Sequence, residues 1–223
     1  VGADGMSHQG LFDIGYLRHV PEMVVMAPKD IPELKDMLAF AVSLNQAVAI
    51  RYPKEDIPVE SGLPQEKLTL GYPQVIKDGD DILLLALGSM VRPAMQAAQE
   101  LAKDGISAKV VNARFAKPLN PGMFMKEISK FKKIVTLEEG VVEGGFGSAV
   151  LELLHTYPEH KNAIEIKMIH LPSEFIQHGA RSLLLKHCGL DAEGLTKTIK
   201  GFMKSPKNGK IFNWISSTLP VKN

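Results

Sequence analysis

The sequence is poor in cysteine, with Cys188 the only one in 223 residues. A lone thiol excludes an internal disulfide framework and a cysteine-based zinc knuckle, and it points to a reducing compartment, the cytoplasm by default. Charge of one sign is also lacking, since 26 Lys and Arg face 25 Asp and Glu. That balance excludes the basic footprint of a nucleic-acid binder or of a protein held on an acidic membrane, and leaves a small anionic substrate open. No hydrophobic run approaches the roughly 20 residues a membrane helix needs, and residues 1–20 lack the segments of a signal peptide. No His-Glu-x-x-His signature, P-loop or Gly-x-Ser-x-Gly elbow occurs, so no metal site is expected from the histidines.

What is present is 45% hydrophobic residues, enough for one large domain or two modest ones. "EMVVMAP" (Glu22 to Pro28) is a continuous apolar run ending in Pro, the pattern of a strand buried on both faces of a parallel sheet. Asp30 can cap a following helix, with Glu33 completing a capping box and Leu34, Leu38, Ala41 and Val42 marking its apolar face. "AVAIRYP" (Ala47 to Pro53) reads as the next strand, with its polar end where open α/β sheets place ligands. Periodicity then dissolves among Pro, Gly and charge, and 57–79 reads as a linker. Alternation resumes with a strand at 81–88, a helix at 91–103, a strand at 108–115 and a short helix near 123–131. A strand at 133–139, a helix at 147–157, a strand at 164–171 and a basic helical region at 180–204 follow. The fold class is therefore α/β with a mostly parallel sheet. The tail from Ser205, holding Trp214, has no clear place.

Three motifs invite a functional reading. "EGGFGSAV" (Glu143 to Val150) resembles a phosphate-binding turn but lacks the third glycine of the dinucleotide fingerprint, so a tight turn with close helix packing is expected. Glu138 and Glu139 are adjacent on a strand and point to opposite faces, which suits helix capping or a surface role better than paired acid and base work. Asp4 and His8 lie in "VGADGMSHQG", bracketed by Gly2, Gly5 and Gly10, residues a chain uses where backbone turns sharply or approaches a ligand. A polar loop near an end is the plain alternative.

Taken together, "DGMSHQGLFDIGYLRHVPEMVVMAP" (Asp4 to Pro28) and "AIRYPK" (Ala49 to Lys54) resemble the 1-deoxy-D-xylulose-5-phosphate synthases, thiamine-diphosphate enzymes of the transketolase family. "NARFAKPLNP" (Asn112 to Pro121), "VTLEEGVVEGGFGSAV" (Val135 to Val150) and "LPSEFIQHG" (Leu171 to Gly179) resemble that family's C-terminal domain, in order. The resemblance implies the C-terminal part of a pyrimidine-binding domain at 1–56, a linker at 57–79, a transketolase C-terminal domain at 80–204 and a tail at 205–223. It implies condensation of pyruvate with glyceraldehyde 3-phosphate to 1-deoxy-D-xylulose 5-phosphate and carbon dioxide, feeding non-mevalonate isoprenoid and thiamine synthesis. Asp4 and His8 then correspond to residues near the reactive carbon of the cofactor. A His titrating near neutrality can donate a proton to a developing alkoxide, and an Asp can orient a hydroxyl.

The same resemblance assigns acceptor-phosphate binding to Lys54, where the family has Arg, with Arg51 nearby. Lysine supplies the charge without the bidentate fork. Ser7 stands where the family usually has Thr. The Gly-Asp-Gly motif that holds thiamine diphosphate and Mg, and the glutamate that activates the cofactor, are expected in an N-terminal portion of the same enzyme, with Val1 lying partway through the pyrimidine-binding domain. Such a piece should expose a sheet edge and a helix face, and a homodimer is implied for the complete enzyme. Two other readings stay open: a non-catalytic interaction module, and a beta-type subunit of a split transketolase or two-oxoacid dehydrogenase.

Overall fold

The computed structural model describes residues 2–55, 62–157 and 164–205. The apolar run after Glu22 forms β1 (Val24–Met26), buried throughout, and α1 (Asp13–His19) precedes it. α2 (Ile31–Ser43) begins where Asp30 accepts a hydrogen bond from the Glu33 amide, with Pro32 in its first turn. The Glu33 carboxylate reaches back to the Lys29 amide at 2.7 Å, one residue before the cap. β2 (Val48–Ile50) pairs parallel to β1, Val24 opposite Val48.

Of the helix face predicted from Leu34, Leu38, Ala41 and Val42, Ala41 packs in the small core but Leu38 and Val42 do not. Met37 is buried, with Phe40, Ala41 and Leu44 packed around the same small core, whereas Leu38 is 53% and Val42 89% exposed. Leu38 and Val42, four residues apart, form an outward apolar strip on α2, and β2 is an edge strand of its sheet.

Within the stretch read as linker, residues 57–61 lie outside the described residues, and β3 (Gln74–Lys77) is a correction to that reading. β3 pairs antiparallel with β5 (Ala108–Asn112), and Leu68 is buried in the small core. β4 (Ile82–Ala86), α3 (Val91–Lys103), α4 (Pro121–Ile128) and β7 (Lys133–Leu137) follow the predicted rhythm. So do α5 (Phe146–His155) and β8 (Glu165–Ile169). The basic region is two helices, α6 (Arg181–His187) and α7 (Ala192–Lys204), the second capped by Asp191. Trp214 and the rest of the tail after Ser205 lie outside the described residues.

The larger sheet has the order β3-β5-β4-β7-β8, with β5, β4, β7 and β8 parallel. Its central strands alternate in the core as period-two geometry demands. Ile82, Leu84 and Ala86 face α3 and α7, while Leu83 and Leu85 face α4, α5 and β1. The path from β4 runs to β5 on one side and the later chain to β7 on the other. The crevice at the carboxyl ends of β4 and β7 is thus the topological switch point of the sheet.

The predicted strand at 108–115 breaks in two. Arg114 takes a φ of 61°, rare for a side chain with a Cβ, and the chain turns out of the large sheet into β6 (Phe115–Lys117). β6 pairs antiparallel with β1, completing a small sheet of order β2-β1-β6. The Arg114 side chain explains why the turn is tolerated. Its Nε donates to Glu33 at 2.9 Å, and its Nη2 donates to the Gln74 side chain at 3.0 Å and the Glu66 carbonyl at 2.8 Å. Asn112 donates to both Glu33 oxygens at 3.0 Å and accepts from the Arg114 amide. Glu33 and Arg114 are each 2% exposed, so this buried pair pins the helix beside the small sheet to the strand leaving the large one.

Replacing Glu33 with Ala leaves a buried guanidinium unpaired and should cost about 3–5 kcal/mol, read from the midpoint of urea unfolding. A loss under about 1 kcal/mol, the size of an exposed pair, would show that the pin carries little.

Candidate active site

The opening segment folds into two single-turn 3-10 helices, Gly2–Asp4 and Met6–His8, joined at Gly5, whose φ of 90° explains the glycine there. Asp4 and His8 are both exposed on this segment. The Ser7 hydroxyl and His8 Nδ1 lie 3.1 Å apart. Lys54, on the loop beyond β2, reaches across to Asp4, Nζ to Oδ2 at 2.9 Å. The hydrogen bond from Lys54, aided by the charges of Lys54 and His8, holds the Asp4 carboxyl below its ordinary value. Three of the four residues singled out in the sequence, Asp4, His8 and Lys54, thus share one exposed surface. A cleft of about 800 Å³ opens beside it, lined by Tyr52, Lys54, Ser89, Arg92 and Arg181 among others.

Arg51 takes a different place. Its amide donates to the Met26 carbonyl, extending the β1–β2 ladder. Its guanidinium donates to the Glu139 carbonyl, lies 3.5 Å from Asp13 Oδ2 and stands 4.0 Å from Glu139 Oε2. It is engaged with the loop after β7 rather than with Asp4 and His8.

The adjacent glutamates lie just beyond β7, which ends at Leu137, rather than on the strand, and only one has a role anticipated from the sequence. Glu138 is buried and caps α5, accepting from the Phe146 and Gly147 amides at 2.8 Å each. Those are the amides a phosphate would need, and a Cβ on Gly145 would stand 2.3 Å from the Val141 carbonyl. The glycine-rich turn therefore serves close packing. Glu139 is not on the surface: it is 9% exposed and sits at the switch point. It accepts from Arg181 Nε at 2.7 Å and also from Arg181 Nη2, and from the Ser89 hydroxyl at 2.7 Å. Arg181 Nη1 pairs in turn with Glu55.

The two carboxyls diverge electrostatically. Burial pushes Glu138 up to about 7, the two amides and the charges of Arg51 and Arg18 offsetting it only in part. Burial also acts on Glu139, but the hydrogen bond from Arg181 and the charges of Arg51 and Arg181 outweigh it and bring the group down to about 2.

Residues 71–195 match the transketolase C-terminal domain, more than half of the chain, and residues 1–60 match the transketolase pyrimidine-binding domain. The chain belongs to the transketolase family. It is 41% identical over 206 residues to 1-deoxy-D-xylulose-5-phosphate synthase 1 of Geobacter sulfurreducens, covering 91% of this chain and 32% of that protein. The same identity holds over 207 residues to the synthase of Geobacillus thermodenitrificans, again 91% and 32%. The chain thus spans about a third of the length of these relatives. Among solved structures, an inactive beta4 tetramer of a split-gene transketolase superposes with a TM-score of 0.79 at 28% identity, covering 89% of this chain and 64% of that one.

Within this transketolase-family fold, the described residues do not fit a diphosphate and its metal. Among them no group of three His, Cys, Asp or Glu side chains converges as a metal site, and the α5 amides are taken by Glu138. No helix among them is long and apolar enough to cross a membrane. Sequence reasoning missed Glu139, Arg181, Asp13 and Glu55. Only the position of "EEG" at the end of a strand carried a signal, because carboxyl ends of strands line the switch point.

The shifts of the two glutamates give opposite pH slopes. Between its ordinary 4.5 and about 7 the native state keeps a proton on Glu138 that the unfolded chain has released, so stability falls as pH rises through that window. Glu139 contributes stability above 4.5 that is lost as pH falls toward about 2. In urea titrations across pH, Glu138→Gln should flatten the fall between 4.5 and 7 and leave the acid limb in place. An unchanged slope would mean that Glu138 is ionised throughout.

Proposed function

We propose that this chain is the C-terminal portion of a 1-deoxy-D-xylulose-5-phosphate synthase, working when joined or bound to an N-terminal portion that carries thiamine diphosphate and Mg. The observation that carries this reading is the meeting of Asp4, His8 and Lys54 at one surface, in a chain 41% identical to such synthases over 91% of its length. The substrates would be pyruvate and glyceraldehyde 3-phosphate, in a cytoplasmic homodimer. The proposed layout is 1–56 in the pyrimidine-binding domain and 80–204 in the C-terminal domain, with β3 of the stretch 57–79 joining the C-terminal sheet and 205–223 as a tail.

This chain's share of the reaction is binding and proton handling. His8, exposed and steadied by Ser7, can protonate an alkoxide as it forms on the substrate. Asp4 holds the Lys54 ammonium, and an incoming phosphate competes with that carboxylate for it. Lys54 grips phosphate as a point charge without a fixed direction, so the rest of the phosphate's orientation must come from elsewhere. Arg51, occupied by Asp13 and Glu139, supports the strand end instead of taking a phosphate oxygen.

A second reading, a beta-type subunit completed by a separate chain, draws on the likeness to the split-gene transketolase. The outward strip of Leu38 and Val42 suits either a covalently joined or a separate covering partner. A denaturing mass spectrum of the material that co-purifies with this chain separates the two: a companion carrying Gly-Asp-Gly means a two-piece enzyme.

In the complete enzyme, His8→Ala should lower kcat by roughly 100-fold, whereas near-normal turnover would remove His8 from the chemistry. Lys54→Ala should raise the KM for glyceraldehyde 3-phosphate with the KM for pyruvate unchanged. Equal KM values in mutant and parent would take Lys54 out of the phosphate site.

A further inference from the structure

The switch-point crevice of the large sheet, where an α/β domain of this kind would hold a ligand, carries the domain's own Glu139 and Arg181 and the reach of Arg51 from beside the small sheet. Lys54 stands between two residues tied to this crevice. Arg51, three residues before it, donates directly to the Glu139 carbonyl, and Glu55, directly after it, pairs with Arg181. The Asp4 and His8 segment is tied to the same place. The Gly179 amide donates to the Gly2 carbonyl at 3.0 Å, and the Gln9 side chain donates to the Gln177 carbonyl at 3.3 Å. Gln9, next to His8 and 7% exposed, has no partner for its Oε1 among the described residues. With Glu139 and Arg181 it lines a cavity of about 30 Å³.

We infer that the Glu139–Arg181 pair is a positioning unit, through which the C-terminal domain sets the relative placement of the Lys54 loop and the Asp4–His8 segment. The inference deepens the proposed function and rests on it for the role of Lys54. Lysine needs such placement more than arginine would, because a single ammonium offers phosphate no preferred plane. Glu139 is suited to the task. It takes hydrogen bonds from two different elements, Ser89 in the 3-10 turn after β4 and Arg181 at the start of α6, and its backbone carbonyl holds Arg51, so moving it moves all three. A carboxylate with its charge fully matched is also harder to displace than a neutral acceptor. Loss of its charge leaves Arg51 with Asp13 and Arg181 with Glu55 as their remaining ion pairs among the described residues, and removes the carboxylate that both guanidiniums share.

The test uses two variants and two readouts. In this chain, Glu139→Gln should speed amide exchange, followed by NMR, on the order of tenfold at Arg51 and at His8, while Leu84 in the centre of β4 stays within about twofold. In the full-length synthase, Glu55→Gln, a change at a partly exposed side chain that should fold whatever Glu139→Gln does, should raise the KM for glyceraldehyde 3-phosphate by roughly tenfold with kcat within about twofold. Unchanged exchange at Arg51 and His8, or equal acceleration at Leu84, overturns the positioning role. So does an unchanged KM in Glu55→Gln when Lys54→Ala raises it. If Lys54→Ala leaves the KM unchanged while Glu139→Gln loosens both segments, the positioning stands and the phosphate assignment of Lys54 falls.

Discussion

The buried pair of Glu33 and Arg114 is the constraint on which the rest of the structure depends. A left-handed Arg114 is unfavourable in isolation, by roughly 1 kcal/mol or more, and a buried guanidinium more so. Both become tolerable because Glu33, which receives Arg114, is itself held in place by the Lys29 amide and the Asn112 side chain. That turn lets one continuous stretch serve two sheets, β5 in the large one and β6 in the small one. Without it the small sheet would consist of β1 and β2 alone, too little to be stable in water.

Once the two sheets are joined edge to end, the carboxyl ends of β2, β4 and β7 converge. Convergence brings Arg51, Ser89 and Glu139 together, and with them the loop of Lys54 and the segment of Asp4 and His8. The electrostatics of the crevice follow from what each carboxylate meets. Glu138 faces two amides in a dry setting and is pushed toward neutrality, while Glu139, its neighbour in sequence, meets guanidinium groups and stays ionised. Two adjacent identical residues acquire opposite behaviour because, just past the end of β7, one meets the amides that open α5 and the other meets Arg181.

Much of the frame was legible in the residues. Asp30 and Glu33 announced the start of α2, and the apolar runs at 24–26 and 82–86 announced buried strands, because capping and burial act within a few residues of the chain. The inward face of α2 was not legible. Leu38 and Val42 are as apolar as Met37, and only packing against Phe115 and Leu68 from distant segments decides which side turns in. The break at Arg114 escaped for a related reason: nothing in "NARF" reveals that a glutamate some 81 positions away will stabilise an unusual φ. β3 escaped because one short antiparallel edge strand among prolines and glycines leaves little periodicity to find.

The sequence by itself determined the α/β class, the order of the longer strands and helices, and the presence of a glycine-bracketed Asp4 and His8, because these rest on local backbone preference and on hydrophobic pattern. It also carried the wording that ties the chain to the transketolase family. Only the tertiary structure decided that Lys54 meets Asp4, that Arg51 is held by Asp13 and Glu139, and that Glu139 is buried against Arg181. Each of those contacts joins residues some 38 to 88 positions apart. Charge pairing over such spans is set by which strand ends meet in space, and no property of the separate segments encodes it.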